Sequence, residues 1–325
     1  MKKILIIRFS SIGDLVLTTP VIRCVKNQVD GVEVHYVCKE RFSEVLEHNP
    51  HIDKHFYLEN SLKALLSELK KENYDLIIDL HNNIRTRVLS SRLGVKRITF
   101  HKLNYEKWLL VNFNIYKLPH ISIVDRYFNA LHAIDVNNDN QGLEYHINPN
   151  DVVDVNTLPP EFKSGYIGFV IGAAHYTKKL PVNKIISVIN KLNKPVVLLG
   201  GKEDANNAEK IISESKISIY NACGKYTIGQ SASLVKQAES IITHDTGLMH
   251  IAAAYNKKII SVWGNTIPEF GMYPYFKNGD GDSTMLQVNE LSCRPCSKIG
   301  YPRCPKGHFK CMQLIDEEKL IEAVK

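Results

Sequence analysis

Short apolar runs, too brief for core helices and apolar without interruption, recur along the chain and set what it can fold into. Ile4-Leu5-Ile6-Ile7 is the first of them. A strand apolar at consecutive positions is buried on both faces, which is the condition of a parallel sheet layered between helices. In the first half the pattern predicts strands at Lys3–Phe9, Glu33–Cys38, His55–Leu58, Asp75–Leu80 and Lys96–Phe100. Helical patterns fall between them at Pro20–Asn27, Ser61–Glu72 and Arg85–Leu93, and a further helix is expected at Ile121–Ala133. Such alternation predicts an α/β fold with a parallel sheet and helices on both faces.

After a short apolar run at Leu143–Ile147 the chain turns polar and proline-bearing, with Asn148-Pro149 and Leu158-Pro159-Pro160, so a linker is expected around 148–163. A second alternation follows, with strands expected at Tyr166–Ile171, Pro195–Leu199, Ile217–Tyr220, Ser240–Thr243 and Lys258–Val262. The 325 residues, 44% of them apolar, suffice for two cores. The expected organisation is two Rossmann-like doubly wound domains, residues 1–150 and 164–325, facing a cleft lined by strand C-terminal ends, where open α/β sheets bind ligands.

Two segments place chemistry at such ends. FSSIGDLVLTTP, Phe9 to Pro20, follows the first apolar run. Gly13 permits a sharp turn and close approach to a ligand, Ser10 and Ser11 are candidate caps, and Asp14 is expected in the first turn of a helix that carries Leu15, Leu17 and Val21 inward. Alone, such an aspartate would only complement the helix dipole. The second segment, SIITHDTGLMHIAAA from Ser240 to Ala254, repeats the strand, turn and helix plan. A helix N-terminus with unpaired N–H groups accepts a diphosphate without a metal, and Thr246 and Gly247 fit that contact. His250 falls four residues after Thr246, on the same helix face, and Asp245 occupies the turn.

Together with GAAHYTKKLP at Gly172 to Pro181, these segments resemble glycosyltransferase family 9, the bacterial heptosyltransferases that build the inner core of lipopolysaccharide. The resemblance spans nearly the whole chain and implies the two-domain GT-B architecture, in which the final helix, here Asp316 to Val324, often crosses back to the first domain. It further implies an ADP-heptose donor, an anionic lipid A–Kdo acceptor, and transfer with neither metal nor other cofactor. By the same resemblance Lys178 matches the lysine on the donor phosphates, Glu203 matches the acid that holds the nucleoside, and Asp245, Thr246, Gly247 and His250 match the donor loop. Two positions depart from the family pattern: Leu180 stands where an aromatic residue often precedes the proline, and Ala173-Ala174 stand where a hydroxyl residue is often found.

The chemistry of sugar transfer fits Asp14 as the base. An aspartate with a pKa of about 3.9 cannot deprotonate a sugar hydroxyl beforehand but can take the proton as the new bond forms. Attack in line with the departing diphosphate inverts the anomeric carbon, and Lys178 with the Thr246–Gly247 helix end would stabilise the leaving charge. For the acceptor side the candidates are Ser10, Ser11, Gly13, His81, Arg85 and Arg87, the last three following the Asp75–Leu80 strand, with Arg8 and Lys39 widening the positive rim. A nucleotide-sugar epimerase, or a nucleotide-sugar binding protein without turnover, would share the donor features but need no acceptor surface.

Charge is uneven in a way that bears on the partner. Residues 85–118 hold eight basic residues against the single acid Glu106, so this stretch accounts for the whole net charge of +7. Phe100, Tyr105, Trp108, Phe113 and Tyr116 are interleaved with those charges, as a surface touching an anionic glycolipid or lipid headgroups requires. No helix-turn-helix, ribonucleoprotein or zinc-finger signature accompanies them, so no nucleic-acid partner is expected. No run approaches the ~20 apolar residues of a membrane span. The expected place is the cytoplasm, with peripheral contact at the inner membrane.

Two further motifs carry metal-like spelling. Asp280-Gly281-Asp282 reads as a solvent turn with no strand to stiffen it. Cys293, Cys296, Cys304 and Cys311 follow a C-x2-C-x7-C-x6-C spacing in which only the first pair matches a zinc knuckle, with His308 as a substitute ligand; zinc, pairing and free thiols all stay open.

Overall fold

The computed structural model describes residues 2–325, which form two compact units, each built on one parallel sheet. The chain begins β1 (Lys3–Ile7), α1 (Ile12–Val16), α2 (Thr19–Gln28), β2 (Glu33–Lys39), β3 (Lys54–Leu58), α3 (Leu62–Leu69), β4 (Leu76–Asp79), α4 (Ile84–Leu93) and β5 (Arg97–Thr99), then α5 (Asn104–Phe113) and α6 (Ile123–Leu131). All of these except α5 belong to the first unit. Its strand order is β3-β2-β1-β4-β5, every neighbour parallel, with Leu5 level with His35 on one side and Ile77 on the other. Ile4 to Ile7 are each at most 2% exposed, so the first apolar run is covered on both faces. Leu5, Ile7, Val37, Phe56, Leu65 and Leu89 fill the layer between β1 and the helices.

The second unit continues β6 (Ile167–Val170), α7 (Val182–Ile189), β7 (Val196–Leu199), α8 (Ala205–Glu214), β8 (Ile219–Asn221), α9 (Ile228–Gln237), β9 (Ser240–His244), α10 (Gly247–Ala254), β10 (Lys258–Trp263), β11 (Ser283–Gln287), α11 (Lys310–Gln313) and α12 (Glu317–Val324). Its order, β11-β10-β9-β6-β7-β8, is again wholly parallel. In each sheet the order reverses beside the first strand, between β1 and β4 and between β6 and β9. Crevices at such reversals are where doubly wound sheets hold ligands.

Several elements differ from the sequence pattern. Leu143–Ile147 joins no ladder; Arg23 holds the neighbouring backbone instead, pairing with Asp139 at 2.8 Å and Glu144 at 2.9 Å and donating to the Gly142 carbonyl at 2.9 Å. Residues 148–163 are tied down on α9: Val153 N–H donates to Ser233 Oγ at 3.0 Å and Gln237 Nε2 to the Val153 carbonyl at 2.9 Å. Leu103–His120 packs in the second unit, where α5 lays Leu110 and, beyond its end, Leu118 on Ile267 and Phe270. The turn at Asp280-Gly281-Asp282 is exposed as expected, yet it does lead into a strand: the Asp282 carbonyl accepts from Ile259 N–H at 2.9 Å and β11 follows at once. The last helix packs on its own unit, against α7, β10 and β11. Burial of Leu320 and Ile321 in that core, with Glu317 bonded to Lys184 at 3.0 Å and to Ser187 at 2.5 Å, anchors it there.

Candidate active site

Both candidate loops leave their sheets at the reversal points. In the first unit Arg8 follows β1, and it is buried rather than part of a surface rim. Its guanidinium donates to the carbonyls of Leu80 and, at 2.9 Å, Ser10, and it forms an ion pair with Oδ1 of Asp14. Burial alone would pull the guanidinium down, but the Asp14 carboxylate with Tyr127 and Tyr36 outweighs it and holds Arg8 above its ordinary value. The second oxygen of Asp14 accepts from the N–H and the hydroxyl of Ser11, at 2.9 and 2.8 Å. Ser11 is the N-cap of α1 and Asp14 lies in its first turn, with Gly13 buried beside it. Charge-assisted bonds therefore fix the carboxylate from both sides.

His81 comes to the same place from the end of β4. The buried Asp79 carboxylate accepts from the N–H groups of His81 and Asn82, at 3.0 and 2.7 Å, and from Arg97 at 2.8 Å, which sets the turn after the strand. The His81 ring lies on Phe9 with centroids 5.3 Å apart. Burial, reinforced by Arg8 and Lys102, lowers His81 to about 4, so its imidazole is neutral at pH 7. Nδ1 is buried without a hydrogen-bond partner. Arg85 and Arg87 sit instead on the exposed side of α4, where Arg85 lines a groove of about 580 Å³ with Lys39, Arg41 and Glu59.

In the second unit Asp245 leaves the end of β9 and its Oδ2 accepts from Lys178 Nζ at 2.6 Å and from the Thr266 hydroxyl at 2.9 Å. Thr246 is the N-cap of α10, Gly247 opens the helix, and Oγ1 of Thr246 is buried with no hydrogen-bond partner. His250 is buried one turn along. A lysine, an unengaged hydroxyl and a helix N-terminus thus converge on one spot, a combination suited to an anion.

His244, the last residue of β9, holds the lysine loop from beneath. Its Nε2 accepts from Leu180 N–H at 2.9 Å, which puts the ring proton on Nδ1, on the side of the Gly172 backbone. Burial lowers His244 to about 4, so this neutral tautomer persists at pH 7. Glu203 is exposed at the end of β7, whereas the adjacent Asp204 is buried, pairs with Lys179 at 2.5 Å and accepts from Gly201 N–H at 3.0 Å. Gly172 is required here, because a Cβ would stand 2.4 Å from Asp204 Oδ2.

The model of glycosyltransferase family 9 (heptosyltransferase) matches residues 62–302. The chain belongs to glycosyltransferase family 9. Among curated relatives, lipopolysaccharide heptosyltransferase 1 of Campylobacter coli is 23% identical over 356 aligned positions, covering 99% of this chain and 98% of that one. The fold matches the family 9 glycosyl transferase of Veillonella parvula with a TM-score of 0.77 at 24% identity, over 99% of this chain and 96% of that one. It also matches E. coli ADP-heptose lipopolysaccharide heptosyltransferase II with a TM-score of 0.73 at 18% identity, over 100% and 97%.

For this glycosyltransferase, sequence reasoning missed two residues and misplaced a third. His244 stood inside the quoted HDTG segment, and its signal was a histidine ending an otherwise apolar strand. Arg8, expected on a positive rim, turns inward after β1 to Asp14. Asp204 was hidden by Glu203, since two adjacent acids in GGKED look alike until one is buried.

Among the described residues, Glu33, His35 and Glu72 form the set within reach of a shared ion, and Lys3 and Lys54 already neutralise it, at 2.8 and 2.5 Å from Glu72. Cys293, Cys296, Cys304 and Cys311 form no disulfide among the described residues, with Cys293 Sγ 3.7 Å from His308 Nε2 and Cys311 pushed up to about 11 by burial. No helix among the described residues is long and apolar enough to cross a membrane.

Proposed function

We propose that this chain transfers heptose from ADP-heptose to a lipid A–Kdo type acceptor of the lipopolysaccharide inner core, with inversion and without a metal ion or other cofactor. The observation that carries it is the setting of Asp14, an aspartate in the first turn of α1, paired with a buried arginine and oriented by Ser11. Its carboxylate takes the acceptor hydroxyl proton as that oxygen bonds to the anomeric carbon and the diphosphate oxygen departs. Lys178 and the α10 N-terminus at Thr246 and Gly247 stabilise the leaving diphosphate, His250 assists there, and Glu203 binds the nucleoside. Ser10, Ser11, Gly13 and the neutral His81 contact the acceptor near its reacting hydroxyl. Arg85 and Arg87 take its acidic groups from the exposed side of α4. The names of the full-length relatives support the heptose donor and the lipopolysaccharide acceptor.

Release of ADP from ADP-heptose, with and without acceptor and in the presence of a chelator, tests this. Wild type releases ADP only with acceptor and Asp14→Ala does not. Chelator-sensitive release sinks the metal-free step, and wild-type rates in the variant sink Asp14 as base.

Such an acceptor is anchored in a bilayer, and α5 is the surface that meets it. Trp108 and Phe113 are 47% and 57% exposed, Tyr105 stacks on Trp108 at 6.3 Å between centroids, Ile115 and Tyr116 follow in the open, and Lys107 and Lys117 flank them. Aromatic rings beside lysines suit the interface of an anionic membrane. The chain has two tryptophans and Trp263 is 0% exposed, so emission changes on adding vesicles report Trp108. Phosphatidylglycerol vesicles should shift it to the blue and phosphatidylcholine vesicles much less; an unchanged spectrum with both would remove the membrane contact.

A further inference from the structure

The end of β10 holds a group that the chemistry above leaves unused. Asn265 is 1% exposed, and both Nδ2 and Oδ1 of its side chain are buried without a hydrogen-bond partner among the described residues. A carboxamide can make four hydrogen bonds, two as donor and two as acceptor, and burying it with none made is destabilising. Such groups in a native fold call for a reason.

The backbone on both sides of Asn265 is held in place. Arg294 spans it, donating through Nε to the Gly264 carbonyl at 2.5 Å and through Nη2 to the Thr266 carbonyl at 3.0 Å. Other contacts hold Arg294 itself: Nη1 donates to the Val288 carbonyl at 3.1 Å and Nη2 to Gln287 Oε1 at 2.7 Å. On the other side Gly264 packs on the lysine loop so closely that a Cβ there would stand 2.7 Å from the Thr177 carbonyl. Thr266, the next residue, donates its hydroxyl to the same Asp245 oxygen that holds Lys178. Asn265 is thus clamped between the segments that present Lys178 and Thr246.

Sheet order says which part of a donor would reach it. Across β10-β9-β6-β7, the diphosphate site lies at the end of β9 and Glu203 at the end of β7. Neighbouring strands are about 4.8 Å apart, so β7 and β10 end about 14 Å from each other. A nucleotide sugar laid over these ends with its nucleoside at β7 and its phosphates at β9 carries its sugar toward β10. We propose that Asn265 recognises the transferred sugar of the donor, its amide N–H donating to one hydroxyl and its carbonyl accepting from another. This deepens the donor assignment above and rests on it.

The test is calorimetric binding of ADP and of ADP-heptose to wild type, Asn265→Ala and the similarly sized Asn265→Leu, with the melting temperature of each ligand-free protein. Both variants should bind ADP within about twofold of wild type and ADP-heptose about tenfold more weakly, while melting no lower. In turnover the loss should fall on KM for the donor more than on kcat. Unchanged ADP-heptose affinity in both variants, with a raised melting temperature, would overturn the proposal and leave Asn265 as an unsatisfied internal amide. Equal weakening of ADP and ADP-heptose would overturn it as well, by moving the residue to the nucleotide. The donor assignment fails separately, on wild type alone, if ADP-heptose binds no better than ADP-glucose; the variants are then compared on whichever sugar wild type prefers.

Discussion

The two units offer the same device, a strand end turning into a helix at the reversal of a parallel sheet, and they leave the proposed base and two proposed donor-binding groups in opposite states. At the end of β1 Asp14 has Arg8 on one oxygen and Ser11 on the other. At the ends of β9 and β10 the Thr246 hydroxyl and the Asn265 amide are buried and unengaged. A base must be ionised and aimed whether or not substrate is present, so its bonds are made within the fold. A binding surface must keep hydrogen-bonding capacity for its ligand, at some expense in stability. The comparison breaks first at kinetics. Asp14→Asn should lower kcat by about 10² to 10⁴ with the donor KM little changed, the range for losing a general base. Lys178→Ala should raise the donor KM and lower kcat less. Equal effects on KM in both variants would mean that the two loops do not divide the work this way.

Stability should divide in the reverse direction. Arg8→Leu strands the Asp14 carboxylate and also frees the carbonyls of Ser10 and Leu80, and breaking a buried pair from one side costs about 3 to 5 kcal/mol. Lys178→Ala leaves Asp245 its bond from Thr266 and some contact with water, and should cost about 1 kcal/mol. Urea titrations of the two variants measure both. Similar losses would show that the first site is no more prearranged than the second.

How far the chain could be read beforehand follows the same physics. Buried parallel strands are uninterrupted apolar runs, so ten of the eleven strands and the turns after β1 and β9 were legible within a few residues, as was Asp14 in a first helical turn. β11 was missed because an edge strand reading Ser-Thr-Met-Leu-Gln has no such run. The helix α5 was hidden by its own composition: its aromatics face outward, so they break the amphipathic period that marks a buried helix. Site partners were harder than site residues. Nothing local tells that Arg8 turns inward to Asp14, that Asp204 rather than Glu203 is buried, or that Arg85 and Arg87 stay on the open side of a helix, because each depends on contacts between segments far apart in sequence.

Acid offers the finest comparison of the two sites, because each is floored by a neutral histidine near 4, His81 in the first unit and His244 in the second. In the unfolded chain both take a proton near the ordinary value of about 6.5, so between pH 6.5 and 4 the unfolded state binds more protons and stability falls as pH falls. Above pH 6.5 the contribution is complete. With both folded values near 4, each histidine gives a slope approaching about 1.4 kcal/mol per pH unit in that window. Protonation of His244 would also end its acceptance of the Leu180 N–H, two residues from Lys178, whereas His81 bears on the acceptor side. His244→Asn and His81→Asn should each flatten the loss of stability between pH 6.5 and 5 to a similar degree, measured by urea titration at each pH. His244→Asn should also flatten the acid loss of ADP affinity, which His81→Asn should leave as in wild type. If both variants flatten ADP binding alike, acid sensitivity belongs to the fold as a whole and not to the loop that carries Lys178.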